Sequence, residues 1–207
     1  MTGSAFAFVS RLVSGASVQW LCEPDAPVQR VFFGNHSSHL DFVVIWASLP
    51  PRLRAVSRPV AGRDYWEAGS FRRYVAAHVF RAVLIDRHGA HTDDPVAAAR
   101  AATEFMAREM GTRHSLIVFP EGTRSVTGEI GPFKSGLFHL SRLRPDVEFV
   151  PVFLANLNRI LPKGETLPVP MLSRVTFGRP LAIDPAESKD SFLAKARTAL
   201  VELQRTS

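Results

Sequence analysis

Hydrophobic positions along this chain follow two spacings, one typical of strands and one typical of helices. Short runs rich in Val, Ile, Leu and Phe, bounded by Gly, Pro or charged residues, predict strands. The predicted strands cover residues 28–33, 54–60, 82–86, 115–119, 148–154 and 174–177.

Between these runs, apolar residues recur three or four positions apart, which predicts helices. The predicted helices cover residues 4–21, 38–48, 64–79, 93–110, 134–142 and 185–204. Asp94 and Pro95 are typical of a helix start, and Gly111 of a helix end. Strands that alternate with helices predict a single α/β domain, with a mostly parallel or mixed sheet flanked by helices.

The N-terminal segment has a different character. Within residues 1–27 we predict a short amphipathic helix, followed by a linker at Glu23–Pro27 that contains two prolines. Residues 28–207 then form the α/β domain. The segment 158–170 contains three prolines and is expected to cross the surface as a loop.

The amino-acid composition excludes few classes of function. The 207 residues suffice for one domain, and 25 Lys and Arg against 19 Asp and Glu give a formal charge of +6. This excess suits an anionic partner: a phospholipid surface, a phosphorylated substrate or a nucleic acid. No zinc pattern or RNA-recognition motif accompanies it, so we expect no nucleic-acid partner. The single cysteine, Cys22, suits a reducing compartment.

Membrane contact is expected at the surface of a bilayer. No stretch reaches the ~20 apolar residues that span a membrane, and no secretory signal is visible. Between Arg52 and Arg87 there are eight Arg and three acidic residues, interleaved with aromatic residues. Such a mixture suits anionic headgroups, although a solvated helix face with ordinary core aromatics has the same pattern.

The segment from Asn35 to Asp41 is the first candidate for chemistry. It leaves a predicted strand and opens a predicted helix, where ligands bind in open α/β sheets. His36 and Asp41 can meet only if His36 lies in the turn before the helix and Asp41 lies in the first turns of the helix. A carboxylate on one imidazole nitrogen would leave the other free to accept a proton. His39 competes for this role, and a simple turn with a favourable first-turn charge fits the same pattern.

Three further segments end or contain predicted strands. Residues 119–125 (Phe-Pro-Glu-Gly-Thr-Arg-Ser) leave a strand, and Arg124 offers a fork of donors suited to phosphate. Residues 84–87 form an apolar strand ending in Asp86 and Arg87. Residues 150–153 carry Pro151 within a strand, which suggests an edge or a bulge. Each has a plain alternative as a turn, a surface ion pair or a structural proline.

Several other sites are set aside. His88 and His91 lie near Asp93 and Asp94 but lack a recognised metal-ligand spacing, so we expect no metal. A Gly-x-Ser-x-Gly elbow, a Walker loop and a Gly-x-Gly-x-x-Gly fingerprint are all absent from the sequence.

In their order, these four segments resemble the motifs of the glycerolipid acyltransferase family, typified by bacterial 1-acylglycerol-3-phosphate acyltransferases. That family has Asn-His-four residues-Asp, an apolar strand ending in Arg, Phe-Pro-Glu-Gly-Thr-Arg-Ser and a Val-Pro motif. The matches span Asn35 to Val152, over half the chain. Residues 132–136 (Pro-Phe-Lys-Ser-Gly) also resemble the family's continuation after the third motif.

The resemblance implies an acyltransferase fold and acyl transfer from acyl-CoA or acyl carrier protein to the 2-hydroxyl of 1-acylglycerol 3-phosphate. It implies His36 as general base and Asp41 as the residue that orients it. The residues implied to hold the acceptor and its phosphate are Arg87, Glu121, Gly122, Thr123 and Arg124. No metal or bound cofactor is implied, and the expected location is peripheral, on the cytoplasmic side of a membrane.

Three alternatives stay open. The same chemistry on another lysophospholipid or a lyso-aminolipid fits these residues, as does an acyl thioesterase in which water replaces the alcohol. A lipid-binding module without activity is the third. One departure from the family is the short segment before the first motif, so membrane attachment is expected to rest on the N-terminal helix, surface aromatics or the basic stretch.

Overall fold

A seven-stranded mixed sheet forms the centre of the protein. The computed structural model describes residues 17–24, 26–38, 41–66, 69–86, 94–125, 127–155 and 173–206. The strands are β1 (Ser17–Trp20), β2 (Arg30–Gly34), β3 (Ser57–Gly62), β4 (Val83–Ile85), β5 (Ser115–Val118), β6 (Glu148–Ala155) and β7 (Arg174–Phe177).

The strand order is β1-β7-β6-β2-β5-β3-β4. All neighbouring pairs are parallel except β6 and β7, which are antiparallel. The carboxyl ends of β2 and β5 therefore lie side by side, since Phe33 pairs with Val118 in the parallel register. The segment that begins at Asn35 and residues 119–125 therefore leave the sheet at the same edge.

Helices cover both faces of the sheet. They are α1 (Asp41–Ser48), α2 (Pro51–Val56), α3 (Arg63–Trp66), α4 (Ser70–Tyr74), α5 (Pro95–Met110), α6 (Gly136–Leu143) and α7 (Lys189–Arg205). A π-helical turn, Val75–Phe80, continues α4. Within the described residues, no helix combines the length and the apolar character needed to cross a bilayer.

Alternation along β2 explains the two cores. Phe32 packs on one face of the sheet with α1 residues such as Ile45, while Val31 and Phe33 pack on the other with residues such as Leu200 of α7. A strand buried on both faces reads as a continuous apolar run, as β2 does. The predicted α/β class, with a mixed sheet flanked by helices, is confirmed.

The ends of α5 follow their sequence signals. The Asp94 side chain accepts a hydrogen bond from the Val96 backbone N–H, and Gly111 ends the helix with φ 48°. A left-handed backbone at this position suits glycine, because it has no Cβ to clash.

Three predicted elements need correction. Residues 17–20 form strand β1 instead of the end of a helix, so they belong to the sheet despite the predicted boundary at 28. Residues 54–56 are helical, because α2 begins at Pro51 and β3 starts only at Ser57. The single helix predicted over 64–79 is divided into α3, α4 and the π-helical turn. Residues 1–16 and the predicted loop 158–170 lie outside the described residues.

Aromatic packing attaches β1 to the sheet. The Trp20 ring stacks on Phe177 with centroids 3.8 Å apart and meets Phe32 edge-on at 6.5 Å. We expect Trp20→Ala to lower the free energy of unfolding by about 2–3 kcal/mol, since it removes these contacts from a half-buried site. Chemical denaturation measures this loss. Val18→Ala, at an exposed position of the same strand, is the control and should cost less than about 1 kcal/mol.

Candidate active site

The chain leaves β2 through a closely packed exit. At Gly34 an added Cβ would lie 3.2 Å from both the Ile45 side chain and the Val152 carbonyl oxygen, so a larger residue would crowd the exit. Asn35 is buried, and its amide donates to the Leu154 carbonyl oxygen at 3.1 Å while its oxygen accepts from the Leu154 N–H at 2.8 Å. The Asn35 side chain thus fixes the direction in which the chain leaves the sheet.

The next residue, His36, lies in the turn, and Asp41 is the first residue of α1. The His36 Nδ1 atom is 2.8 Å from Asp41 Oδ2. The same oxygen accepts hydrogen bonds from the backbone N–H groups of Ser37 at 2.6 Å and Ser38 at 2.8 Å. The predicted contact between His36 and Asp41 is therefore present, with His36 in the turn and Asp41 at the helix start.

The surroundings of these two side chains differ. The Asp41 carboxylate is fully buried, whereas the His36 side chain is 18% exposed. A carboxylate accepts but does not donate, so the bonded Nδ1 carries a proton and Nε2 keeps its lone pair. This arrangement allows His36 to take a proton from a group that approaches through the exposed side of its ring.

Phe119, which follows β5, holds the imidazole plane. The rings of His36 and Phe119 stack with centroids 4.3 Å apart and planes 18° apart. The Phe119 ring also lies 3.4 Å from the position of a Cβ at Gly34, so it fills the space between the two strand ends. Stacking and the bond to Asp41 together leave the ring little freedom to rotate.

The turn that follows Phe119 holds the backbone of His36 on both sides. Glu121 Oε1 accepts from the His36 N–H at 2.8 Å, and the Ser125 N–H donates to the His36 carbonyl oxygen at 2.7 Å. The other Glu121 oxygen accepts from the Gly131 N–H at 2.9 Å. Glu121 is buried, and its observed contacts are all to backbone. A role for Glu121 in acceptor binding stays a prediction.

The remaining predicted acceptor residues lie in or near this turn. Gly122 has φ +72°, Thr123 is exposed and Arg124 is half-buried. Arg124 follows the same turn that clamps His36, so the structure brings these two motifs together. Arg87 and the competing His39 lie outside the described residues, and their roles stay predictions.

Two arginines of the basic stretch between residues 52 and 87 have partners within the fold. Arg54 donates to the Leu49 carbonyl oxygen and lies over the Trp46 ring. Arg58 bonds the Arg81 carbonyl oxygen and pairs with Glu109 at 2.9 Å. These contacts orient both arginines toward the protein. The prediction that the stretch meets anionic headgroups applies better to exposed positions such as Arg72 and Arg73.

Burial shifts the pKa of two other titratable side chains, Cys22 and His114. Burial raises the pKa of the Cys22 thiol, which keeps it neutral. Burial, assisted by nearby Arg58, lowers the pKa of His114. His88 and His91 lie outside the described residues.

The sequence placed four residues that shape the site within motif segments but did not indicate their contacts: Asn35, Phe119, Ser125 and Lys134. Asn35 and Phe119 are part of recognisable motifs, but their pairing with Leu154 and His36 depends on neighbours more than 80 positions away. The Ser125 contact uses its backbone N–H, which every residue except proline has, so no side-chain pattern marks it.

A protein-family model described as Acyltransferase matches residues 26–155 of this chain, well over half of it. The chain belongs to the acyltransferase family. The match covers β2 through β6 and thus includes the whole cluster around His36.

Known members of the family include proteins with related sequences. A 1-acyl-sn-glycerol-3-phosphate acyltransferase of Limnanthes alba is 32% identical over 146 residues, covering 69% of this chain and 47% of the relative. One of Cocos nucifera is 28% identical over 185 residues, covering 86% and 56%. The chain thus spans about half the length of these curated relatives.

A solved structure shares the fold. The 1-acyl-sn-glycerophosphate acyltransferase of Thermotoga maritima superposes with a TM-score of 0.72 at 17% identity, covering 99% of this chain and 78% of that one. At this identity the similarity establishes the architecture.

Replacing Asp41 should allow neutral His36 to adopt either tautomer. In the unmodified protein, neutral His36 should carry its proton on Nδ1, because the carboxylate 2.8 Å away only accepts. In Asp41→Asn we expect a mixture of the two tautomers, measured by the nitrogen chemical shifts of the imidazole. Asp64→Asn, an exposed substitution, is the control. An unchanged tautomer in Asp41→Asn would contradict the role of this bond.

Glu121 should matter for stability as well as for the site. In Glu121→Gln one of the two backbone N–H donors, on His36 or Gly131, faces an amide NH₂ instead of an oxygen. We expect the free energy of unfolding to fall by about 1.5–3 kcal/mol, the range for a hydrogen bond to a charged group. Glu129→Gln, exposed on the same segment, should change it by less than about 0.5 kcal/mol. If both substitutions lower the free energy of unfolding equally in a urea titration, the stabilising role of the Glu121 hydrogen bonds is refuted.

Proposed function

We propose that this protein transfers an acyl group from acyl-CoA or acyl carrier protein to the sn-2 hydroxyl of 1-acylglycerol 3-phosphate, which yields phosphatidic acid. The observation that carries the proposal is the pair of His36 and Asp41, bonded at 2.8 Å, beside the turn that contains Arg124. The family membership and the named relatives support the same substrate class.

In the proposed reaction, the acceptor hydroxyl attacks the thioester carbonyl carbon directly. His36 Nε2 takes the hydroxyl proton as the new C–O bond forms, and Asp41 stabilises the imidazolium through Nδ1. The tetrahedral intermediate then expels the thiolate, which receives the proton back from Nε2. The products are the ester and a free thiol, and no residue of the protein becomes acylated.

In this proposal the acceptor phosphate is bound by the arginine side chains of the site. Arg124 presents a planar guanidinium two residues after Gly122, and a fork of N–H donors matches two phosphate oxygens. Arg87 has the same proposed role from the family resemblance. We further propose a peripheral location on the cytoplasmic side of a membrane, where acceptor and donor meet.

The test uses the purified protein with oleoyl-CoA and lysophosphatidic acid, with the product lipid identified by mass. His36→Ala should lower the rate of phosphatidic acid formation by about 10²–10⁴, the usual contribution of a general base. His139→Ala, an exposed histidine on α6, is the matched control and should keep normal activity. Normal activity in His36→Ala would refute the assignment of His36 as the general base.

The same assay separates the alternatives. Thiol release without any acceptor, at the rate seen with one, would identify a thioesterase. Equal rates with lysophosphatidic acid and with 1-oleoylglycerol, which lacks phosphate, would refute the phosphate role of Arg124. Faster acylation of another lysophospholipid would move the proposal to that acceptor.

A further inference from the structure

Lys134 lies directly against the turn that contains the predicted acceptor residues. An ideal Cβ built on Gly122 would be 2.7 Å from Lys134 Cε, 2.9 Å from Cδ and 2.9 Å from Nζ. The end of the lysine side chain therefore crosses the space that any larger residue at 122 would occupy. This contact places the ammonium group against the turn in which Arg124 lies two positions after Gly122.

The backbone that presents Lys134 is held at several points. The Lys134 N–H donates to the Pro120 carbonyl oxygen at 2.8 Å, and Glu121 accepts from the Gly131 N–H at 2.9 Å. From the other side, Arg197 of α7 donates to the Ile130 carbonyl oxygen at 2.7 Å. Because both segments are fixed to each other, Lys134 and the turn keep one relative arrangement.

The charges around this turn are unbalanced. In the part of the chain that the structure describes, neither Lys134 nor Arg124 has a carboxylate within ion-pair distance. The carboxylate of the turn itself, Glu121, has each oxygen occupied by a backbone N–H. Lys134 Nζ lies against the turn in which Arg124 follows Gly122 by two positions, and an anion bound there would be attracted by this positive charge.

Other cations in the fold are paired with carboxylates. Arg30 pairs with Glu148 at 2.9 Å, and Lys195 pairs with Glu187 at 2.5 Å. Lys134 is exposed while its stem is packed, so its charge is available to a ligand. The Lys134 charge is thus exposed beside Gly122, on a backbone that hydrogen bonds hold in place.

We infer that Lys134 and Arg124 together bind the phosphate group of the acceptor, with Lys134 a specificity-determining residue that distinguishes phosphorylated from unphosphorylated acceptors. The inference rests on the proposed function for the identity of the acceptor. A phosphate of the acyl donor has the same chemistry, so the experiment varies acceptor and donor separately.

The variants are Lys134→Gln, Lys134→Arg, Arg124→Gln and the double variant with both glutamines. Lys189→Gln, which removes one exposed positive charge from α7, is the matched control. At saturating oleoyl-CoA, Lys134→Gln should raise the KM for 1-oleoyl lysophosphatidic acid about tenfold, the loss of one charge-assisted hydrogen bond. The kcat should stay within about twofold, because the proton transfer is unaffected.

Three comparisons make the result specific. The KM for 1-oleoylglycerol should not change, and Lys134→Arg, which keeps the charge, should recover most of the affinity. The double variant should lose less than the product of the single losses, because both residues hold one phosphate. Equal KM changes for both acceptors, or the same change in Lys189→Gln, would overturn the inference. A rise confined to the KM for oleoyl-CoA would assign the site to the donor and overturn it as well.

Failure of the proposed function can be distinguished from failure of the inference about Lys134. If the unmodified protein does not acylate lysophosphatidic acid, that proposal fails, and sn-glycerol 3-phosphate becomes the probe in a phosphorus NMR titration. Weaker binding by folded Lys134→Gln than by the unmodified protein supports the anion site, and equal binding refutes it. Thermal unfolding of each variant establishes that the comparison is between folded proteins.

Discussion

The carboxylate of Glu121 is the link on which the arrangement of the site depends. It is buried at the end of a parallel strand and accepts one backbone hydrogen bond from each of two other segments, at His36 and Gly131. A buried carboxylate without partners would be very costly, so the three segments must come together for any of them to be stable. Folding of the sheet edge and assembly of the site are therefore one event.

The adjacency of β2 and β5 makes this link possible. These strands lie next to each other in the sheet, although their last residues, Gly34 and Val118, are 84 positions apart in the sequence. The parallel register places the two strand ends side by side. The turn after β5 then meets the turn after β2 without a long excursion of either chain. Stacking of Phe119 on His36 is a direct result of this register.

Local patterns were sufficient to predict the alternation of strands and helices, and with it the α/β class. The contact of His36 with Asp41 was also predictable, because a spacing of five positions between a turn residue and the first turns of a helix leaves few arrangements. The failures have physical causes. Ser17–Trp20 carries helical spacing, but its Trp20 ring gains more by stacking on Phe177 at the edge of the sheet. Pairing partners that are distant in sequence decide such cases.

The basic stretch shows a second limit of sequence patterns. Charge counts cannot separate an arginine that faces solvent from one such as Arg58, whose guanidinium bonds a carbonyl oxygen and Glu109. At Lys134 the same limit acts in the other direction. Lys134 belongs to a segment that resembles the family, but the sequence does not show that its side chain lies across Gly122.

Asn35 has a consequence for the chemical ageing of the protein. Its amide side chain reproduces a peptide group toward Leu154, with one donor and one acceptor, so the chain can turn away from β6 without leaving that strand unsatisfied. Spontaneous loss of ammonia from an asparagine yields aspartate, which has no donor to offer the Leu154 carbonyl oxygen. A carboxylate oxygen of residue 35 would then face the Leu154 carbonyl oxygen without a hydrogen between them. Replacement of one amide nitrogen by oxygen would thus weaken the contact that holds the residue preceding His36.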